Sequence, residues 1–254
     1  MAGNWQGQGS PSVSSRFGKG CVSGLVLSLV LLGPLPLPQV HAATLIVNTD
    51  RDLRDAKPGD GVCDAAPPDR VCTLRAAIQE ANMLPGAHEI ILPPNTYLLT
   101  ILAELPAITG NVTITGSGAS TTIIDGNRTM RPTAGVLANL SGTLNISGVT
   151  IRNGGRGDCG GGVFSSRSEL RDGTLTLTNV AVSGNSAPKG GGICHGDLGF
   201  GTLILINTTV SGNNAVGDGG GIWTVSELVL VNSTVSGNTA GKNGVVSSPT
   251  SPAA

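Results

Sequence analysis

The sequence predicts an all-β solenoid, a stack of coils made of short strands, and three observations carry that expectation. One eight-residue pattern recurs as Leu144 to Ile151, Leu175 to Val182, Leu203 to Val210 and Leu228 to Val235, with start-to-start spacings of 31, 28 and 25 residues. Self-similarity at such a period is the mark of a stacked repeat. The first three copies are each followed by a glycine triplet and an aliphatic residue, Gly160 to Gly162 with Val163, Gly190 to Gly192 with Ile193, and Gly219 to Gly221 with Ile222, while the last keeps only Asn243-Gly244-Val245. Within a copy, apolar residues alternate as in a half-buried strand, at Leu175 and Leu177, then slip by one position at Asn179 and resume at Val180 and Val182. Asparagine tolerates left-handed backbone, so the slip reads as a one-residue corner.

Strand, corner, strand, glycine turn and strand together make one coil. Such a coil buries about five or six aliphatic side chains worth roughly 1.5 to 3 kcal/mol each, against about 1 to 2 kcal/mol per residue for ordering the backbone. One coil therefore does not fold alone, and about three or more must stack. Stacking aligns Asn179, Asn207 and Asn232 in one asparagine ladder and Asn185, Asn213 and Asn238 in a second.

Taken in chain order, residues 1–42 read as a signal peptide. Arg16 and Lys19 precede an apolar stretch from Val22 to Leu32, Gly33-Pro34 ends it, and Val40-His41-Ala42 supplies a small-residue cleavage site. The stretch is well short of the roughly 20 residues that span a bilayer, and no second apolar stretch of spanning length follows. The expected product starts at Ala43, is secreted or displayed at the cell surface, and has no transmembrane segment. Export makes the remaining cysteines candidates for disulfides. Cys63 and Cys72 flank a short polar loop and are expected to be bridged. Cys159 and Cys194 form a second pair only if the chain bends through the glycine triplet. Cys194 aligns with Phe164, five residues past Cys159, a span of about 16 Å when extended, whereas bridged Cα atoms lie within about 7 Å. Zinc is disfavoured because only His88 and His195 follow the signal segment.

Residues 43–107 form an N-terminal capping region with the first strands, 108–246 the coils, and 247–254 a polar tail. In the capping region Thr73 can cap a short helix running to about Met83, with Leu74, Ala77, Ile78 and Ala81 on one face.

The stretch Cys72-Thr73-Leu74-Arg75-Ala76-Ala77-Ile78, followed by Gln79-Glu80-Ala81-Asn82, resembles the Cys-Ser-Leu-Arg-Glu-Ala motif domain of exported bacterial proteins. The glycine-triplet repeats resemble those of polymorphic outer-membrane and adhesin-like proteins. The resemblance implies a right-handed parallel β-helix over residues 44 to 246 and a surface location, and says much less about activity. Thr73 and Ala76 stand where the motif has Ser and Glu, so any role of that glutamate is lost here.

Composition narrows the function. Fifteen Lys plus Arg against sixteen Asp plus Glu, with no basic run, disfavours nucleic acid as a partner. Three Phe, two Trp and one Tyr in the whole chain leave few stacking platforms for sugars or bases. Two readings from different classes follow. The first is a non-catalytic adhesin-like scaffold whose partner is a surface glycan or protein, without cofactor or metal. It includes end-to-end self-association through an open C-terminal coil.

The second is a polysaccharide lyase similar to the pectate lyases. It would need acidic calcium ligands and a base on one face, and aligning the triplets places Asp158, Lys189 and Asp218 on successive turns with Arg156 nearby. These four side chains are the catalytic candidates. Gly154 to Asp158 approaches a calcium-binding nonapeptide without its nine-residue period, and Arg156-Gly157-Asp158 is an integrin-type tripeptide. Sequons at Asn111, Asn127, Asn139, Asn145, Asn207 and Asn232 follow from the asparagine-rich corners.

Overall fold

The computed structural model describes residues 42–166, 173–196 and 201–247; the expected signal segment up to His41 and the tail from Ser248 lie outside the described residues. Within them the chain is a parallel β-solenoid. A seven-stranded sheet runs through Thr44–Ile46, Ala87–Leu92, Asn111–Gly116, Leu144–Ser147, Thr174–Thr178, Thr202–Ile206 and Glu227–Val231. A six-stranded sheet contains Asn95–Leu98, Thr122–Asp125, Thr150–Arg152, Ala181–Ser183, Thr209–Ser211 and Thr234–Ser236. A five-stranded sheet, from Leu137–Asn139 to Val246–Ser247, and a three-stranded one, Ser186–Ala187, Asn214–Ala215 and Thr239–Ala240, complete the coils. Leu144, Leu175, Leu203 and Leu228, the first residues of the four copies, are in register on adjacent parallel strands. The inward columns that follow, such as Ile146, Leu177 and Leu205 or Ile151, Val182 and Val210, are buried in one continuous core.

The parity slip is a left-handed corner: Gly148, Asn179, Asn207 and Asn232 have φ of 62°, 55°, 49° and 49° and turn the chain from the seven-stranded to the six-stranded sheet. A second corner closes the six-stranded sheet at Asn153, Gly184, Gly212 and Gly237, with φ of 55°, 64°, 62° and 61°. The two asparagine columns differ in depth. Asn185, Asn213 and Asn238 are buried and form a hydrogen-bonded ladder. Asn213 Oδ1 accepts from the Asn185 amide and side chain at 3.0 Å each, and its own Nδ2 donates to Asn238 Oδ1 and to the Val182 carbonyl at 2.9 Å each. Asn179, Asn207 and Asn232 are exposed, so their column is one of backbone conformation, not of buried side chains.

Leucine at Asn213 strands the Val182 carbonyl and the polar atoms of both neighbouring asparagines, and should cost about 3 kcal/mol. Leucine at exposed Asn207 forfeits only the ease of left-handed backbone and should cost about 1 kcal/mol. Urea denaturation of the two variants measures the contrast, and equal midpoints would contradict it.

The glycine triplets have a packing reason. A Cβ on Gly191 would lie 2.3 Å from the Asn214 carbonyl oxygen of the next coil, and one on Gly190, at φ 53°, 2.3 Å from the Ile193 carbonyl oxygen. The triplet therefore folds each turn tip tightly back over the five-stranded sheet. Ala138, Phe164, Cys194 and Trp223, the middle residues of its strands, form a second buried cluster there with Cys159 packed against it.

The helix spans Leu74–Met83, and Thr73 Oγ1 accepts from the Ala76 amide at 3.0 Å while donating to the Leu53 carbonyl at 2.7 Å. Leu74, Ala77, Ile78 and Ala81 enter the main core. Arg75 lies fully inside: its Nε reaches Asp52 Oδ1 at 2.6 Å, and its outer nitrogens donate to the Glu104 and Ala103 carbonyls at 2.6 and 3.3 Å. Asp52 Oδ2 also accepts from the Thr100 and Ile101 amides. Buried Glu80 pins the preceding loop by accepting from the amides of Gly59 and Gly61. At the far end of the stack Leu230 and Val231 are 45% and 43% exposed, and Leu228 and Val235 pack on the core only in part.

Candidate functional site

The four lyase candidates lie on turn tips, and backbone bonds place three of those tips side by side: the Lys189 amide donates to the Asp158 carbonyl at 3.3 Å, and the Gly190 amide to the Asp218 carbonyl at 3.0 Å. Their side chains part company. Arg156 bonds Asp158 Oδ1 at 2.6 Å and Glu104 Oε2 at 3.2 Å, and its guanidinium lies 4.2 Å from the Phe164 ring centroid. Burial alone would push the Asp158 carboxyl up, but bonds from the Cys159 amide and Arg156 outweigh it and hold it below the usual carboxylate range. Lys189 sets its ammonium 5.1 Å from the centre of the Trp223 ring. Asp218 accepts from the amide and side chain of Asn243 at 3.2 and 2.9 Å. Among the described residues no ion pair joins Lys189 to either carboxylate, and no group of three His, Cys, Asp or Glu side chains is placed to hold a metal ion. The Arg156 side chain is only 15% exposed, so the integrin-type tripeptide does not offer its arginine to a partner.

The tips share one structural role. Cys159 is the bridge partner of Lys189, and Cys194 that of Trp223, in successive coils. The disulfide between Cys159 and Cys194, with Cα atoms 5.6 Å apart, and the contact of Lys189 with Trp223 are thus the same clasp in adjacent coils, each tip gripping the next strand. The bend at the triplet closes the gap that extended chain could not. Cys63 and Cys72 are bridged as well, with Cα atoms 5.1 Å apart.

A cleft of about 300 Å³ lies at the second corner, lined by Leu98, Asp125, Asn127, Arg128, Thr129 and Asn153. Asp125 Oδ2 accepts from Arg152 Nε at 2.7 Å and Asn153 Nδ2 at 3.0 Å, and Oδ1 from the Asn127 amide at 3.0 Å. Arg128 reaches across two coils to the Gly184 carbonyl at 2.9 Å. The sequence reading missed this cleft. Its signal is that Arg152-Asn153-Gly154 replaces the Ser-Gly-Asn of later coils, a side chain where glycine is the rule.

His195, at the end of a strand in the five-stranded sheet, is 1% exposed and its Nδ1 has no partner. Burial lowers its pKa to about 4, against a smaller upward effect of its bond to Gly173. The unfolded chain takes up a proton at this ring below about pH 6.5 while the folded chain does not, so stability falls as pH drops from 6.5 towards 4, by about 3 kcal/mol in all. Denaturation midpoints measured across that window in the parent and in His195→Leu should diverge, the variant losing this part of the acid slope.

The fold and these sites define a parallel β-solenoid with turn-tip clasps and one polar cleft. No family model, curated protein or solved structure matches this chain. Among the described residues no helix is long and apolar enough to cross a membrane.

Proposed function

We propose that this chain is an exported, non-catalytic surface protein of the Cys-Ser-Leu-Arg-Glu-Ala type, a right-handed β-helix that offers rigid faces to a surface glycan or protein. The observation that carries this reading is the commitment of all four lyase-candidate side chains to structural partners: Arg156 to Glu104, Asp158 and Phe164, Lys189 to Trp223, Asp218 to Asn243. Two disulfides suit an oxidising compartment. A lyase needs a base free to take a proton in a fixed geometry, and an ångström of misplacement costs about a hundredfold. Lys189, held over an indole ring at a turn tip, is badly placed for that task.

Incubation with pectate and alginate, with and without calcium, should give no unsaturated uronide. The intact chain should be retained by glycans or proteins of a cell surface. Calcium-dependent product that disappears in Lys189→Ala, with folding intact, would replace the scaffold by the lyase.

A further inference from the structure

Thr44–Ile46 is an edge strand of the seven-stranded sheet, and it bonds its one neighbour through alternate residues. The Glu89 amide donates to the Ala43 carbonyl at 2.9 Å and the Val47 amide to the Ile91 carbonyl at 3.0 Å. Ala43, Leu45 and Val47 thus turn their backbone groups towards the sheet, and Thr44, Ile46 and Asn48 turn theirs away from it. At Asn48 that outer side is already taken. Its amide donates to the Cys72 carbonyl at 3.0 Å, its Oδ1 accepts from the Cys72 amide at 2.9 Å, and its Nδ2 donates to the Arg70 carbonyl at 2.7 Å. The chain at Arg70 to Cys72 therefore touches the line that a further strand of the sheet would follow, and then leaves it. Among the described residues no chain pairs with the outer side of Thr44 and Ile46.

A groove of about 290 Å³ lies along this free edge, lined also by Gly61, Val62 and Cys63, a volume at the small end of sites for organic ligands. Its wall is fixed in advance by the Cys63–Cys72 disulfide and by the bond of the Gly61 amide to Glu80. The Asn48 bonds close one end, and that end holds Arg70, the one charged residue in the lining. Arg70 is exposed and makes no ion pair among the described residues. Asp64, bonded to the Arg70 backbone amide, also accepts from the Ala66 and Val71 amides and does not line the groove. The rest of the groove is flanked by apolar surface, with Ile46 58% and Val62 43% exposed.

We infer that this groove binds the free carboxyl terminus of an extended segment of a partner protein. The segment runs parallel to Thr44–Ile46, as the strands of this sheet do, so its last residue arrives at the closed end and its carboxylate meets the Arg70 guanidinium. One of its residues donates to the Thr44 carbonyl and accepts from the Ile46 amide, repeating the ladder of the sheet. An aliphatic last side chain covers Ile46 and Val62. A groove closed at one end by hydrogen bonds, with a cation there and no acid in the lining, favours a chain end over a segment that passes through. The inference goes beyond the surface reading and stands without it.

The test is calorimetric titration of the full chain with acetylated hexapeptides of alternating threonine and valine that end in Val, Leu or Ile, each as the free acid and as the terminal amide. Saturable binding of at least one free acid is expected, weakened about tenfold or more in its amide and in Arg70→Gln, through loss of a charge-assisted hydrogen bond. Arg70→Lys should retain binding. The Arg70 backbone bonds are kept in both variants, so the fold should persist, which their thermal midpoints check. Hydrogen exchange of the Ile46 amide should slow in the complex, a sign of strand addition that attraction to a charge alone does not give. Failure of all three free acids, equal binding of the amides, equal binding by Arg70→Gln, or binding that leaves Ile46 exchange unchanged would overturn the assignment.

Discussion

Replacing Arg75 by Met should destabilise the protein by about 3–5 kcal/mol, the range found when one partner of a buried ion pair is removed. The guanidinium and the Asp52 carboxylate are 2% and 1% exposed, so the variant leaves a carboxylate in the interior without its counter-charge. The loss extends beyond the pair, because the same guanidinium satisfies the Glu104 and Ala103 carbonyls and so ties the helix to the loop that follows the second strand of the coil. Arg131 donates to the Ala103 carbonyl as well. Its pKa is lowered by burial and by the nearby Arg75 charge, so the region holds two buried cations close to one another.

Removing both charges in Arg75→Met, Asp52→Leu should recover only part of the loss, because Asp52 also accepts from the Thr100 and Ile101 amides. Urea midpoints of the single and double variants measure this, and a single variant within about 1 kcal/mol of the parent would show that the arginine is not what locks the cap. Desolvation opposes ionisation of Asp52, but Arg75 and the two amides hold its carboxyl below the usual range. Its contribution is therefore present above the unfolded value near pH 4 and lost as pH falls through the lower folded one.

The coils were legible because strand burial has period two. A one-residue slip moves every side chain to the opposite face, so a change of parity at Asn179 could only be a corner, and φ of 55° is how the chain makes it. The helix was legible from Thr73 and its apolar face. Depth at the corners was not, since Asn185 and Asn179 have the same chemistry and only the second turn of the coil sends one of them inward. The burial of Arg75 was not legible either, because its partners are 23 to 29 positions away in sequence. The cleft stayed hidden for the same reason: Leu98 and Asp125 end two successive strands of one sheet, Asn153 follows the end of the third, and they meet only once the register is known.

Loss of the Cys159–Cys194 bridge should cost about 4 kcal/mol on the chain-entropy model, given a sequence separation of 35, against about 3 kcal/mol for Cys63–Cys72 with a separation of 9. The bridge spans about one coil, so it constrains a unit whose ends already meet through backbone bonds between successive tips. Cys194 is 0% exposed, and alanine at both positions avoids burying a hydroxyl there. The equivalent clasp one coil further on holds only a cation against a ring, worth about 0.5–1 kcal/mol where exposed. Lys189→Ala should therefore shift the midpoint several times less than Cys159→Ala, Cys194→Ala.

Because each coil of a solenoid contacts only its neighbours, the damage should also be local. Amide exchange should quicken first in the strands Val163–Ser165 and Ile193–His195 and leave the helix protected. Uniform loss of protection would mean that the stack unfolds as one unit. An unchanged midpoint would mean that the close glycine contacts, such as that of Gly191 with Asn214, already hold the coils together without the covalent clasp.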